Sequence, residues 1–237
     1  MKQKSKEEIA LLEEFFSISD NSDIEYIAGL ALRVDKYLTL NDPNKSRHLW
    51  HIRLILKMIR LKSPFYKDFD KACSLVEPIF DEYKDKDILD EYDVRILPNI
   101  LTLQRDYEIS LKVSDKIFRD IESFKNCHFY ETVVLNTHFN LTSCMLQTKI
   151  RYDKVWDDIT KPIYFKHAKI VEQMFREKDM KNYVNAMEIR NALANDNIPA
   201  ALSFLNVCKM NNNKYFYDEM EREVNAHKSV LKFKPKK

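Results

Sequence analysis

Asparagines stand at helical spacing in several apolar stretches of this chain. Asn136 and Asn140 lie four apart, Asn182 and Asn185 three apart, and Asn99 follows Arg95 by four. Asn is a mediocre helix former because its amide competes with the backbone for hydrogen bonds, so amides kept on helices invite a reason. A carboxamide offers a carbonyl acceptor and two donors, and can engage both the C=O and the N–H of an extended peptide backbone. Rows of such amides would hold a peptide with little regard to its side chains, while aromatics such as Tyr92, Phe139 and Tyr183 supply the selective pockets. The peptide-binding candidates are Arg95, Asn99, Asn136, Asn140, Tyr183 and Asn185. For each amide the alternative is a cap, a loop position or a solvent-facing site.

Other residue pairs offer less. His48-x-x-His51 puts two imidazoles on one helical face, without a carboxylate or third histidine at the spacing of a known metal site. Cys127 and His128 are adjacent and so point to different faces, which argues against a thiolate–imidazolium couple. Acidic pairs such as Asp157-Asp158 follow solvated helix edges. No nucleophile, base and orienting group assemble from these positions. The expectation is a binding protein with no catalytic residues, no metal and no cofactor.

The elements that position these residues announce themselves through a repeated phrase, a large residue followed three positions later by a smaller one. It reads Phe69-Asp70-Lys71-Ala72, Tyr107-Glu108-Ile109-Ser110, Tyr152-Asp153-Lys154-Val155 and Ile198-Pro199-Ala200-Ala201, with starts 38, 45 and 46 residues apart. Each opens an apolar run of helical period, as the second helix of a helix-turn-helix repeat would: the large residue packs back on its partner and the small one permits close approach. Stacked pairs make a curved solenoid whose inner wall binds an extended ligand. Helices are expected at 6–17, after Asn21 or Ser22 to Leu38, and from Pro43 to Leu61. Beyond these, pairs are expected at 67–84 and 87–103, 105–125 and 128–148, 151–177 and 179–194, 197–210 and 213–230. Pro78, Pro98 and Pro162 fall inside these spans and must bend or break them. At Pro98 the bend either fits solenoid curvature or frees backbone groups and aims Arg95 and Asn99 into the groove. The links are short and polar, so one continuous domain over 1–237 is expected, with an N-terminal helix in 1–20 and a basic tail at 231–237.

Composition supports this. The chain has 237 residues and a single glycine, Gly29, where average usage gives roughly sixteen. Short hairpins and phosphate-binding loops need glycine, so sheets, dinucleotide folds and P-loops are excluded together. The expected class is all-α, a TPR-like α-solenoid of about 10–11 helices. Hydrophobic residues make up 45%, enough for a core. The net charge is +2, and basic residues cluster only at the two ends, which does not favour nucleic-acid binding. Four separated cysteines with no C-x-x-C fit a reducing cytoplasm. No signal peptide and no membrane span is expected.

Tyr92-Asp93-Val94-Arg95-Ile96-Leu97-Pro98-Asn99-Ile100-Leu101, with Phe139-Asn140-Leu141-Thr142 and the stretches Tyr183 to Ala194 and Asn197 to Leu202, resembles the C-terminal regulatory domain of the Rgg/GadR/MutR transcription regulators of Gram-positive bacteria. The resemblance is diffuse and covers roughly residues 15–225. It implies a TPR-like fold, homodimerisation, and a short hydrophobic signalling peptide bound on the concave face, as in quorum sensing. By resemblance, Asn99 and Asn140 fall where the family keeps polar groups in that groove, and Thr102 stands where some members carry an arginine. Nothing before residue 24 matches the family's helix-turn-helix, so DNA contact is expected only through such a domain, absent from this sequence. A stand-alone protein–protein interaction scaffold is the alternative.

Overall fold

The computed structural model describes residues 4–18, 23–41, 46–62, 68–151, 156–210 and 214–233. Among them every regular element is helical, as the scarcity of glycine implies. The helices are α1 (Lys6–Phe16), α2 (Ile24–Leu40), α3 (Arg47–Lys62), α4 (Phe69–Lys84), α5 (Glu91–Ile96), α6 (Tyr107–Ile121), α7 (Tyr130–Arg151), α8 (Thr160–Glu177), α9 (Lys181–Ala194), α10 (Ile198–Met210) and α11 (Lys214–Phe233). Three of the four repeated phrases open a helix: Phe69 begins α4, Tyr107 α6 and Ile198 α10. Their small partners Ala72, Ser110 and Ala201 are fully buried. The phrase at Tyr152 lies outside the described residues.

Two expected helices are shorter than their apolar pattern. The one drawn over 87–103 is α-helical only to Ile96 and continues as a 3-10 segment, Leu97–Leu103. Pro98 has no N–H to give, so the α ladder cannot run through it. The carbonyls at this transition find side-chain donors instead: Asn99 Nδ2 donates to the oxygens of Arg95 and Ile96, and Ser110 Oγ donates to Leu101 O. The helix drawn over 151–177 starts at Thr160. There Asp157 accepts from the N–H groups of Ile159 and Thr160, and Pro162 sits in the first turn, where no N–H is needed.

The chain divides into two compact units, residues 1–134 and 135–237. In unit 1, α3 is the central element and packs on α1, α2, α4 and α5. Its Leu49, Ile52, Ile55 and Leu56 are fully buried at spacings of three and four. Burial of each contributes about 1.5–3 kcal/mol. The two ends of the α4–α6 connection are tied by cation and anion. Lys116 Nζ donates to the carbonyls of Tyr83, Lys84 and Lys86, satisfying the free C=O groups at the end of α4, and Asp120 accepts from Leu89 N–H.

Unit 2 uses the same device. Lys149 of α7 donates to Leu193 O and Ala194 O at the end of α9, and to Asp196. α8 packs on α9, α9 on α10 and α10 on α11. Ser143, Arg190 and Glu223 are linked, as are Lys149, Asp196 and His227. Both chains of contacts climb in the same order, so α7, α9 and α11 run in the same direction.

Candidate functional site

The aromatic surface of unit 2 is built by α7, α8 and α9. Phe139, Phe175 and Tyr183 form a three-ring cluster with centroids 5.5 Å apart for Phe139–Phe175, 6.1 Å for Phe139–Tyr183 and 5.0 Å for Phe175–Tyr183. Phe139 is half-buried, whereas Tyr183 remains 40% exposed. Asn136 and Asn140, both half-buried, flank Phe139 on α7 one turn apart. Asn185 is two residues from Tyr183 on α9, about 200° round the helix, and so presents to a different face.

Beneath these rings lies a buried cation. Arg190 holds Glu223 through two parallel bonds, Nε to Oε2 at 3.0 Å and Nη2 to Oε1 at 2.7 Å, and donates from Nη1 to Ser143 Oγ at 2.9 Å. Its guanidinium lies 4.8 Å from the Phe139 centroid. Burial alone would lower its pKa, but Glu223 outweighs this and raises it. Nearby, Nδ1 of His138 and Nδ1 of His167 are 2.7 Å apart, so one imidazole donates and the other accepts. Burial and the like-charge neighbour hold His138 down to about 3, and burial with Lys166 holds His167 at about 4.

Unit 1 carries a buried anion instead. Asp93 on α5 is fully buried and accepts from Arg47 Nη2 at 2.8 Å, His48 Nε2 at 3.0 Å, the Asp90 N–H at 3.0 Å, Lys86 Nζ and the Tyr83 hydroxyl. Asp90 and Asp93 form a capping box at the start of α5. Burial alone would raise the Asp93 carboxyl; hydrogen bonds from His48, Lys86 and Tyr83 outweigh it and hold it well below the usual carboxylate range. The same burial and the adjacent carboxylate push the Tyr83 hydroxyl up. Burial lowers His48, yet Asp90 and Asp93 win and raise it. Burial keeps His51 down at about 4 although Glu82 accepts from it at 2.9 Å.

His48, Asp90 and Asp93 bring three ligand atoms within 4.8 Å of one another, the one such group among the described residues. The donor set does not suit a divalent ion. Both Asp93 oxygens already face positive charge, from Arg47 on one and Lys86 on the other, and a further cation would meet repulsion at short range. The arrangement is a neutralised ionic core.

The remaining candidates lie in unit 1. Arg95 is buried, engages Glu13 through two bonds at 2.8 and 2.9 Å and Glu91 at 3.3 Å, and lies over the rings of Phe16 and Phe129. It ties α1 to α5. Asn99 serves the backbone carbonyls at the 3-10 transition, and Tyr92 stacks on Phe16 and lies tilted against His48. Thr102 is buried. Phe139 and Tyr183 are thus brought together with Asn136 and Asn140 nearby, whereas Arg95 and Asn99 answer to local structural partners. Asp93 and Arg190 escape a sequence reading as centres. Their only sequence signals are Asp90-x-x-Asp93 at capping-box spacing and a single basic residue within Ala186-to-Ala194.

No family model matches the chain, and neither the curated proteins nor the solved structures contain a match.

Proposed function

We propose that this protein is a peptide-sensing regulatory module, with its contact surface on α7 and α9 of unit 2. The observation that carries the reading is Tyr183, a large aromatic left 40% exposed against the rings of Phe139 and Phe175. A rigid ring cluster of this kind gives an apolar side chain a platform at low entropic cost, and Asn136 and Asn140 supply carboxamides beside it for a peptide backbone. Asn185 belongs to the same helix and would meet a ligand only if it wrapped round α9. The common direction of α7, α9 and α11 is what a TPR-like stack of helical hairpins would produce. The diffuse resemblance to the Rgg/GadR/MutR regulators supports a cytoplasmic homodimer that responds to a short hydrophobic peptide, with DNA contacted by a separate helix-turn-helix domain. A peptide could shift the dimer only by binding its two arrangements unequally.

Calorimetric titration of a panel of acetylated hydrophobic octapeptides tests this. Binding should weaken on the order of tenfold in Tyr183→Ala, as expected of an aromatic anchor, and less in Asn140→Ala. A panel that binds neither the wild type nor the variants sinks the peptide reading and leaves a scaffold for folded partners. A monomer at all concentrations in sedimentation sinks the dimer.

A further inference from the structure

A second surface, in unit 1, has chemistry that the aromatic face lacks. Between α4 and α6 lies a cavity of about 330 Å³, at the lower end of the range for ligand pockets. Phe80, Ile109 and Val113 line it, and charges line its two rims. On the α4 rim stand Glu77, Asp81 and Asp85, at successive spacings of four; on the α6 rim stand Lys112 and Lys116.

These charges are not equally committed. Asp81 pairs with Lys84 at 3.2 Å, and Lys116 is held by three backbone carbonyls at the end of α4. Glu77 and Asp85 are exposed and engage no side chain among the described residues, and neither does Lys112. The open charge is therefore two carboxylates along one edge and one ammonium opposite, with an apolar floor between.

We propose that this groove binds an extended peptide segment in which two basic side chains flank a large apolar one, in the order basic–x–apolar–x–basic. The spacing follows from geometry. Glu77 on α4 and Asp85, the residue that caps its C-terminus, are eight residues apart, about 12 Å at 1.5 Å per residue. An extended chain covers that distance in about four residues at roughly 3.3 Å each, and its residues i, i+2 and i+4 point to one side. A basic residue at each end thus reaches a carboxylate while the central apolar side chain enters the cavity over Phe80, Ile109 and Val113. Lys112 faces the opposite flank and favours an acidic residue at one of the intervening positions.

The test is an NMR titration of the full chain with acetylated, amidated Lys-Ser-Leu-Ser-Lys at roughly millimolar concentration, following the methyl signals of Ile109 and Val113. Saturable shifts at those methyls are expected. They should weaken about fivefold to tenfold in the Glu77→Gln/Asp85→Asn double variant, which alters only exposed side chains, because each exposed charge pair contributes little alone. The Glu-Ser-Leu-Ser-Glu peptide should bind more weakly still, as should Lys-Lys-Leu-Ser-Ser, which has the same charge at the wrong spacing. Equal binding of all three peptides, or no methyl shift with any, overturns the proposal. A concentration-dependent dimer that the double variant dissociates also overturns it, by giving the groove to a second copy of the chain. Tyr183→Ala should leave the titration unchanged, so failure of the α9 reading and failure of this one are separable.

Discussion

The two units solve opposite electrostatic problems. Unit 1 buries an anion, Asp93, and surrounds it with five donors drawn from α3, α4 and the loop before α5. Unit 2 buries a cation, Arg190, and answers it with one bidentate carboxylate, one hydroxyl and an aromatic face. A carboxylate has only acceptor sites, so many separate donors can converge on it and several helices are locked together at one point. A guanidinium is a flat fork whose faces are poorly hydrated, so it can be shared between an ion pair and a ring. Here it supports a ring that also meets Phe175 and Tyr183. The anion closes its region, whereas the cation supports a surface.

The largest expected effect comes from removing the anion. Asp93→Ala strands Arg47 and Lys86 with a buried His48, and should cost about 3–5 kcal/mol in denaturant melts. A loss below about 1 kcal/mol would erase the contrast, because the donors would then be shown to need no centre. Arg190→Met should cost less, roughly 2–3 kcal/mol, since Glu223 reaches solvent more easily than Asp93 and a linear apolar side chain still packs on Phe139. It should also weaken any peptide binding at Tyr183, by loosening the ring beneath it.

Acid separates the units further. His51, His138 and His167 have folded pKa values lowered to about 4, 3 and 4. Unfolded, each takes a proton near 6.5, so their contribution is present above that pH and lost as pH falls towards 4. Each loss should be on the order of 2 kcal/mol. Two of the three lie in unit 2, which should therefore melt first on acidification; His48, raised by its carboxylates, contributes in the opposite sense and offsets His51 in unit 1. Denaturant midpoints measured between pH 7 and 4 would show this, and a flat profile would count against the buried neutral pair.

How legible this was depends on the range of the signal. Phe69, Tyr107 and Ile198 mark helix starts because the cue, a large residue and a small one on the same face, is local. Pro98 was legible as a break, though not as the entry to a 3-10 segment, since that depends on donors arriving from Asn99 and Ser110. The ring cluster is partly legible: the sequence offers Phe139 and Tyr183 as pocket aromatics, and only packing shows that they touch. Asp93 is hidden because its side-chain donors come from positions 7 to 46 residues away along the chain. His48-x-x-His51 looked idle for the same reason. Arg95 looked like a groove residue because the sequence does not reveal Glu13 beneath it.

The single glycine stands in the middle of α2, with no left-handed dihedral, while Asp179 and Asp196 adopt φ of 52° and 57° just after α8 and α9. Both helices close through the bond from the residue after that aspartate back to the last turn, Met180 to Phe175 and Asn197 to Ala192. The permissive residue and the permissive positions are thus mismatched. At Gly29 a methyl would meet only Arg33 Nη1 at 3.8 Å, so Gly29→Ala should gain about 1 kcal/mol in thermal or denaturant melts. Asp179→Gly, at an exposed position, should add a smaller increment, whereas Asp196→Gly should destabilise by releasing Lys149 and His227. Relocating one glycine by this pair of exchanges would yield a hardier protein of almost unchanged composition, with both ionic centres left intact.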